Sequence, residues 1–491
     1  MEEADIMNWT RLMCGERIRQ IHRKTSSNDL RTEFEKDYHR IISSPSFRRL
    51  QDKTQVFPLD KSDFIRTRLT HSLEVSSFAK SLGQSVGTRI IREGLADDFT
   101  ESTKADICDV LQCAGLLHDI GNPAFGHFGE SAIQDWFKSN LSGLEYNGNK
   151  LSDILNAQMQ NDFYNFEGNT QALRVVTKLH FLVDERGMNL TKALLATMIK
   201  YPGSSLDIER DKEVLKTDIR HKKMGYFCAD RENFSDIEDS CGLSGCRHPL
   251  TFLLEAADDI AYNTADIEDA IKKGNISYNE LVKELDALAS VYKSEPDACE
   301  EAVSCLESMA DKLTVYHARA LENSYENPGL YAVQNWIVRV QGMLITCATD
   351  AFMDNYDAIM DGSFGLDLLG SSNGKYIISA LSDIAYRYVF ISKPILKLEV
   401  AASAIFDFLL TRFVDAFIYY DTPYWKLNKT ALREKMTMLM SDNYLRIYRK
   451  YSEGEDDAGK LYLRLLMVTD YICGMTDSYA KRMYQELSGI V

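Results

Sequence analysis

The sequence predicts an all-α protein, and three observations carry that prediction. Only 9 Pro and 27 Gly punctuate its 491 residues. Long stretches rich in Ala, Leu, Glu and Lys place apolar residues three and four positions apart, which is the spacing of one helix face. Hydrophobic residues make up 45% of the chain, enough for a large core. We therefore expect a helical core with helical insertions and a helical C-terminal region.

Residues 1–66 are expected to form short helices and turns. This part contains SSPSFRRLQDKTQVF, in which basic residues alternate with aromatic residues and Gln. Such a stretch either faces phosphate groups or is a solvated surface, and the sequence leaves both interpretations open.

Two helices are predicted up to and including a His-Asp pair, which lies at the end of the second. In the first, RLTHSLEVSSFAKSLGQSVG, His71 lies near the N-terminus. Its apolar face is formed by Leu69, Leu73, Phe78 and Leu82. KADICDVLQCAGLLHDIG predicts the second helix, with Asp119 in its last turn and Gly121 as the residue that ends it.

Polar residues dominate positions 138–166, which are rich in Asn, Ser and Gly and are expected to form a loop or a mobile insertion. HPLTFLLEAADDIAYNTADIEDAIKKG predicts a long helix ended by Gly274. A charged helical stretch follows, to about residue 327. The chain shows no internal repeat and no low-complexity tract.

Charge and the N-terminal sequence favour a cytoplasmic enzyme without membrane contact. The formal net charge of −17 argues against a surface covered with nucleic-acid-binding residues, although a local basic groove is compatible with it. MEEADIMNWTRLMCGERIRQ lacks the apolar segment of a secretory signal. The most apolar stretch, LEVAASAIFDFLLTRFVDAFIYY, is interrupted by Asp407, Arg412 and Asp415, as in a buried amphipathic helix.

Ten cysteines are scattered without a regular framework, so we expect reduced thiols rather than a disulfide scaffold. The one cluster consists of Cys228, Cys241, Cys246 and His248. It is a weak candidate for zinc because it lacks paired C-x-x-C spacing.

Four side chains from three predicted helices form a candidate metal site with two nitrogen and two oxygen ligands: His71, His118, Asp119 and Asp258. Adjacent helical residues diverge by roughly 100°, so His118 and Asp119 can share an ion only where the helix ends. Taken singly, His118 and Asp119 could instead cap a helix, and His71 could be a core histidine. His127 and Glu130, a few residues later, could be polar loop groups.

Asp258, Tyr262 and Asp266 recur every fourth residue and therefore share one stripe of a helix. Burying two acids and a phenol on an apolar helix is costly unless ions or ligands accompany them. The alternative is that the stripe is exposed to solvent. The apolar run FLLEAADDIAY favours burial.

The ordered set RLTHSLEV, LLHDIGNPAFGHFGE and EAADDIAY resembles the H…HD…D signature of HD-domain phosphohydrolases, and more narrowly of bacterial deoxyguanosine triphosphate triphosphohydrolases. FRRLQDKTQVF, FEGNTQALRVV, HKKMGYF, DIEDA and DYICGMTDSYA extend the likeness from about residue 35 to 482. The resemblance implies an HD-domain helical core whose mononuclear divalent metal ion, Mn, Mg, Fe or Co, is bound by the four side chains above.

The same resemblance implies a reaction and its catalytic pair. The family attacks the α-phosphorus of a deoxynucleoside triphosphate (dNTP) and releases the nucleoside and intact tripolyphosphate. His127 and Glu130 match its catalytic residues. An imidazole balanced by a carboxylate can orient or deprotonate a water, or protonate a leaving oxygen. Asn122 replaces a third His found in many HD phosphohydrolases, which favours one metal ion over two.

Substrate contacts are also implied by matching positions. Gln55 and Asp266 would bind the deoxyribose, and Tyr262 would pack where a 2′-hydroxyl would collide. The phosphates would be bound by Arg68, Lys200 and Lys223. Asn169 and Tyr201 also match positions near the nucleotide. The preference for dGTP over other dNTPs rests on likeness to the subfamily alone.

The resemblance also implies a homo-oligomer, a hexamer, with single-stranded DNA as a candidate effector bound by a local groove around Arg48, Arg49 and Lys53. We divide the chain into an N-terminal segment with a nucleotide-contacting loop (1–66), the HD phosphohydrolase core (67–273) and a helical C-terminal region with oligomer contacts (274–491). The alternatives are another HD-type nucleotidase or phosphodiesterase, or a nucleic-acid-binding regulatory protein with a degenerate HD site.

Overall fold

A computed structural model describes residues 7–19, 29–57, 59, 62, 64–180, 186–294 and 300–490. Within these ranges the chain forms 23 α-helices and a single two-stranded antiparallel sheet. The all-α prediction is therefore confirmed. None of the helices in this part is both long and apolar enough to cross a membrane. The division at residues 66 and 273 stays a prediction.

Three short helices open the chain and lead to the first contacts of the site. They are α1 (Trp9–Leu12), α2 (Glu33–Ile42) and α3 (Pro45–Arg48). A 3₁₀ turn, Arg49–Asp52, follows α3. The side chain of Thr32 and that of Glu35 each accept a backbone hydrogen bond at the start of α2, which satisfies two donors of its first turn.

The central helices carry most of the candidate site. They are α4 (Arg68–Glu93), α5 (Glu101–Leu117), α6 (His127–Asn140), α7 (Leu151–Ile154), α8 (Ala157–Tyr164), α9 (Gly168–Arg174), α10 (Lys192–Met198), α11 (Arg231–Cys241) and α12 (Pro249–Lys272). α4 and α5 approach closely because Gly115 has no side chain: a Cβ there would lie 2.5 Å from the Ser76 Cα. This contact brings the end of α5 next to the start of α4.

Two differences from the sequence-based expectations concern these helices. α5 ends at Leu117, so His118 caps it and Asp119 lies beyond the helix rather than in its last turn. Leu73, expected on the apolar face of α4, is exposed. The expected face runs instead through buried residues such as Val75, Ala79 and Leu82. The predicted stop of α12 is confirmed by the left-handed backbone of Gly274, with φ +72°.

The expectation of a loop at 138–166 is wrong. This segment contains the end of α6, a hairpin of β1 (Glu145–Tyr146) and β2 (Asn149–Lys150), and helices α7 and α8. Its polar composition conceals several fully or nearly fully buried apolar side chains, including Leu141, Leu151 and Phe163, that anchor the segment to the core.

The C-terminal region is entirely helical where it is described. Its helices are α13 (Tyr278–Ser294), α14 (Glu300–Glu322), α15 (Pro328–Asp354), α16 (Tyr356–Met360), α17 (Gly374–Ala385), α18 (Lys393–Phe417), α19 (Trp425–Asn428), α20 (Ala431–Met438), α21 (Asp442–Tyr451), α22 (Asp457–Cys473) and α23 (Asp477–Ser488). α15 and α17 share a hydrophobic core with α4, α5 and α12. α18 and α22 share a second core with α6 and α8. Phe128, in the first turn of α6, packs against both cores.

Candidate active site

The predicted site residues converge on one cavity of about 280 Å³. Twelve of the fourteen residues singled out in the sequence line it. The remaining two, His71 and Asp266, are almost completely buried behind its wall. Side chains from α4, the end of α5, the start of α6 and one face of α12 therefore meet at a single pocket.

The four predicted metal ligands lie at one end of this pocket. Single ligand atoms of His71, His118 and Asp119 all lie within 4.8 Å of one another. An oxygen of Asp258 on α12 lies 3.0 Å from the His71 Nε2 and 3.5 Å from the His118 Nε2. Because α5 ends at Leu117, both His118 and Asp119 can face this point.

The donor atoms of this cluster fit a divalent cation. The His118 Nδ1 lies 2.8 Å from the Gly115 carbonyl oxygen and donates to it, which leaves Nε2 as the nitrogen that faces the cluster. That Nε2 is buried and has no hydrogen-bond partner among the described residues. Burial opposes ionisation of Asp119, but the Arg68 guanidinium and two imidazoles outweigh it and lower the pKa of the carboxyl. Bare imidazole nitrogen and ionised carboxylate oxygen are ligands for a borderline or hard divalent ion.

Two neighbours orient Asp119. The Arg68 Nη1 donates to one carboxylate oxygen at 2.6 Å, and the Asn122 amide donates to the other at 2.5 Å. Asn122, which the sequence suggested in place of a third His, therefore holds a predicted ligand. Gly126 makes room for the arginine, because a Cβ at that position would lie 2.4 Å from the Arg68 Nη2.

His127 and Glu130 lie at another side of the pocket and form an ion pair within the first turn of α6. The His127 Nδ1 and the Glu130 Oε2 are 2.8 Å apart, and the other glutamate oxygen accepts a hydrogen bond of 2.8 Å from the Gly168 amide. The hydrogen bond to Glu130 raises the pKa of His127. Burial opposes ionisation of Glu130, but His127 outweighs it and lowers the pKa of this carboxyl. The pair therefore favours imidazolium with carboxylate.

Two buried glutamates that sequence reasoning missed hold the predicted phosphate-binding lysines. Glu167 accepts from the Lys223 Nζ at 2.5 Å and from the Asn169 amide at 2.7 Å. Glu255 lies 3.0 Å from the Lys200 Nζ. The sequence contained a clue to each glutamate. Glu167 belongs to the quoted FEGN stretch, and Glu255 lies one helical turn before Asp258.

Charge balance keeps both lysines protonated. Burial disfavours the ammonium of Lys200, but Glu255 outweighs it and raises the pKa of this lysine. Burial is likewise outweighed by Glu167 at Lys223, whose pKa is also raised. Arg247 donates to the second oxygen of Glu255 at 2.5 Å.

The predicted stripe of α12 is largely buried rather than solvated. Asp266 is 2% exposed, and burial raises its pKa to about 8. The Asp266 Oδ2 and the Gln55 Oε1 are buried polar atoms without a hydrogen-bond partner among the described residues. The Tyr262 ring lies nearly parallel to that of Phe390, with centroids 6.3 Å apart. Buried polar atoms of this kind need a partner, which either an ordered water or a bound ligand supplies.

The weak zinc candidate is not supported. Within the described ranges, the group of three or more metal-ligating side chains is the one at His71, His118 and Asp119. The imidazole of His248 is fully buried, lies 3.2 Å from the Leu12 carbonyl and accepts from the Leu250 amide. Cys241 contacts the thiol of Cys14 instead.

The basic stretch near residue 50 divides into exposed and buried cations. Arg48 and Arg49 are exposed, whereas Lys53 is buried and donates to the carbonyl oxygens of Asn122 and Cys473. Of the three basic residues expected around a DNA-binding groove, only Arg48 and Arg49 are exposed on the single chain, and the groove stays a prediction.

Comparison with known proteins agrees with this geometry. The family model described as "HD domain" matches residues 68–195, so the helices that supply three of the four predicted ligands form an HD domain. A "Deoxyguanosinetriphosphate triphosphohydrolase-like protein" of Listeria monocytogenes is 46% identical over 99% of this chain and 100% of its own length. A protein of the same description from Synechocystis is 32% identical over 99% of this chain and its full length. A "Deoxyguanosinetriphosphate triphosphohydrolase" of Klebsiella pneumoniae is 31% identical over 99% of this chain and 98% of its own length.

The chain belongs to the deoxyguanosinetriphosphate triphosphohydrolase-like family of HD-domain proteins. The resemblance seen in the sequence is thereby confirmed. The roles of individual side chains and the substrate stay predictions.

Proposed function

We propose that this protein hydrolyses dGTP, or a wider set of dNTPs, to the deoxynucleoside and tripolyphosphate. One observation carries the proposal: a single pocket combines a metal-fitting cluster, an imidazole–carboxylate pair and two charged lysines. Together these groups suit phosphoryl chemistry, because cations bind the phosphates and stabilise developing charge and an acid protonates the leaving oxygen.

We assign the metal site to His71, His118, Asp119 and Asp258. Two imidazoles and two carboxylates suit Mn, Mg, Fe or Co, with open positions for water and phosphate oxygen. Bound there, a divalent ion would supply the positive charge that stabilises the charge developing at the α-phosphate.

Three cations of the chain bind the phosphates in this proposal. Arg68 presents a planar guanidinium from the start of α4, and Lys200 and Lys223 present ammonium groups kept charged by Glu255 and Glu167. Each of these cations is already paired with a carboxylate of the protein. A triphosphate would compete with those carboxylates for cations that are already oriented.

His127 acts as the general acid. Release of the nucleoside breaks the bond between the α-phosphorus and the 5′-oxygen, and an alkoxide leaving group needs a proton. The hydrogen bond to Glu130 raises the pKa of His127 and occupies its Nδ1, which leaves the exposed Nε2–H for the leaving oxygen. A water molecule supplies the oxygen that the tripolyphosphate gains.

Gln55, Tyr262 and Asp266 recognise the sugar. The buried unsatisfied oxygens of Gln55 and Asp266 supply hydrogen-bonding capacity, and the Tyr262 ring borders the pocket. A 2′-hydroxyl would collide with this ring, so GTP should be rejected. Asn169 and Tyr201 complete the nucleotide side of the pocket.

The test incubates the metal-loaded protein with each dNTP and with GTP, under Mn, Mg, Fe and Co in turn, and separates products by ion-exchange chromatography. Tripolyphosphate from dGTP, and none from GTP, is expected. Tripolyphosphate from every dNTP would keep the reaction and discard the preference for guanine. Orthophosphate or pyrophosphate would favour another HD nucleotidase, and no product under any metal would favour a regulatory protein.

We also infer that the chain forms a homo-oligomer, a hexamer by resemblance. Several large apolar side chains of the C-terminal region are exposed on the single chain, among them Val338, Val400, Leu427 and Met438. Native mass spectrometry measures the number of subunits. Repeating the activity assay with single-stranded DNA tests whether it is an effector, with the exposed Arg48 and Arg49 as its candidate contacts.

A further inference from the structure

The C-terminal stretch DYICGMTDSYA (470–480) contacts the chain turn that carries the candidate site, although about 350 residues separate them in sequence. α22 ends at Cys473 and α23 begins at Asp477. The turn runs from Asp119, a predicted metal ligand, to His127, the predicted acid. No role proposed above explains why these distant segments meet.

Asp477 makes the more direct of two contacts. One of its carboxylate oxygens accepts a hydrogen bond of 2.9 Å from the Phe125 amide. Its other oxygen accepts bonds of 3.0 Å from the Thr54 amide and 2.5 Å from the Thr54 hydroxyl. Asp477 is 1% exposed, so bulk water cannot take its place as the acceptor for these three donors. A carboxylate is required, because only it offers acceptor oxygens in both directions.

The two segments that Asp477 joins each lead directly to a residue that lines the pocket, His127 or Gln55. Phe125 adopts a left-handed backbone with φ 60°, which is unusual for a residue with a side chain, and it stands two residues before His127. Thr54 stands directly before Gln55, the predicted sugar contact. One buried carboxylate thus connects the acid–base side of the pocket with its sugar side.

Lys53 makes a second connection to the same stretch. Its Nζ donates to the Asn122 carbonyl at 2.5 Å and to the Cys473 carbonyl at 2.9 Å. Asn122 in turn donates its amide to the predicted ligand Asp119. The middle of the turn is therefore held against the end of α22, next to the point where Asp477 holds Phe125.

We propose that Asp477 is a positioning residue, which acts through Phe125 and Thr54 to set His127 in register with the sugar bound at Gln55. The proposal rests on the proposed function. It predicts that the distance between the proton donor and the leaving 5′-oxygen depends on a residue outside the HD domain that never contacts substrate.

The test compares Asp477→Asn with Ser478→Ala in the full-length, metal-loaded protein. Asn keeps the volume of Asp but has one acceptor oxygen, so either Phe125 or Thr54 loses its partner. Ser478 lies next to Asp477 on α23, and its hydroxyl donates to Asp52 rather than to the turn. It is therefore the matched control. We expect kcat/KM for dGTP to fall about tenfold or more in Asp477→Asn. Metal content should stay close to that of the unaltered protein, the melting temperature should fall by only a few degrees because one buried donor loses its partner, and Ser478→Ala should change neither kcat nor KM.

Hydrogen exchange provides a readout that does not depend on activity. Peptides spanning residues 119–127 should exchange faster in Asp477→Asn, while peptides from the middle of α4 stay unchanged. We expect the faster exchange and the fall in kcat/KM to occur together in Asp477→Asn. Normal exchange across the turn, or kcat and KM within twofold of the unaltered protein, would overturn the proposal. If the unaltered protein releases no tripolyphosphate, the proposed function fails, and the exchange result still decides whether Asp477 holds the turn.

Thr54→Val covers the case in which Asp477→Asn does not fold. This variant removes one hydroxyl donor and keeps both backbone donors, so the protein should fold normally. Loosening the Thr54 side should raise KM for dGTP by roughly three- to tenfold with kcat nearly unchanged. A KM within twofold of the unaltered value would overturn the proposal.

Discussion

Two His–carboxylate pairs at this pocket combine the same two functional groups and have opposite exposure. His71 and Asp258 are 3.0 Å apart, with the imidazole 1% and the carboxylate 35% exposed. His127 and Glu130 are 2.8 Å apart, with the imidazole 77% and the carboxylate 6% exposed. The first pair presents an anion to the pocket, and the second presents a proton donor. Exposure, rather than residue type, therefore distinguishes the predicted ligand pair from the predicted acid–base pair.

Helix geometry produces the difference. His71 and Asp258 come from α4 and α12, which pack against each other, so the imidazole is enclosed between helices. His127 is the first residue of α6, and Glu130 follows it at i+3 on the same helix. Within this one turn the His127 side chain is 77% exposed and the Glu130 side chain is 6% exposed, so the imidazole borders the open pocket and the carboxylate lies beneath it.

Asp258→Asn should produce the largest effect, because it neutralises the anion that the first pair presents. We expect metal content to collapse and kcat to fall by about a thousandfold or more. Elemental analysis of the purified protein and the tripolyphosphate assay measure both. Asp259→Asn is the matched control, since burial already raises the pKa of that neighbouring carboxyl well above its usual range. Full metal retention in Asp258→Asn would remove Asp258 from the ligand set.

His127→Ala should break the second pair without touching the first. The variant is expected to keep its metal and lose roughly a hundred- to a thousandfold in kcat, because a positioned proton donor contributes about that much. His39→Ala, an exposed histidine on α2, is the control and should behave as the unaltered protein. An unchanged rate in His127→Ala would mean that the exposed imidazole is not the acid.

Sequence reasoning could identify the members of both pairs but not their opposite exposure. Helix spacing and the motifs placed His71, His118 and Asp258 on three helices. This was possible because hydrophobic periodicity and helix-ending residues are local properties of the sequence. Exposure depends on which helices pack together, and that is set by contacts far apart in the chain. Lys223 meets Glu167 across 56 residues, and Asp477 meets Phe125 across 352. The misread segment 138–166 has the same cause, since its few buried apolar residues are specified by distant partners.

Glu130→Gln should have a smaller, pH-dependent effect on the second pair. Glu130 raises the pKa of His127, so the imidazolium persists to a higher pH than that of a free imidazole. General-acid activity is present below this pKa and is lost as the pH rises through it. Removing the carboxylate lowers the pKa, so the alkaline limb of the kcat profile should move to lower pH, with about a tenfold loss near pH 8 and less near pH 6. A profile that only scales down, with its limb in place, would contradict the pairing.

Tyr262→Ala should have the smallest effect on the hydrolysis of dGTP. It tests whether the α12 face that carries Asp258 also selects the sugar. Tyr262 lies one helical turn after Asp258, so the face that presents the anion also presents a ring that borders the pocket. If the ring excludes a 2′-hydroxyl, its removal should raise the ratio of kcat/KM for GTP to that for dGTP by about tenfold, because the excluded group then fits. Metal content should stay unchanged, which separates this variant from Asp258→Asn on the same helix. Phe390→Leu is the matched control, because it removes the ring stacked on Tyr262 and leaves Tyr262 in place. A GTP-to-dGTP ratio that does not move in Tyr262→Ala would mean that sugar discrimination comes from hydrogen bonds to Gln55 and Asp266 rather than from steric exclusion.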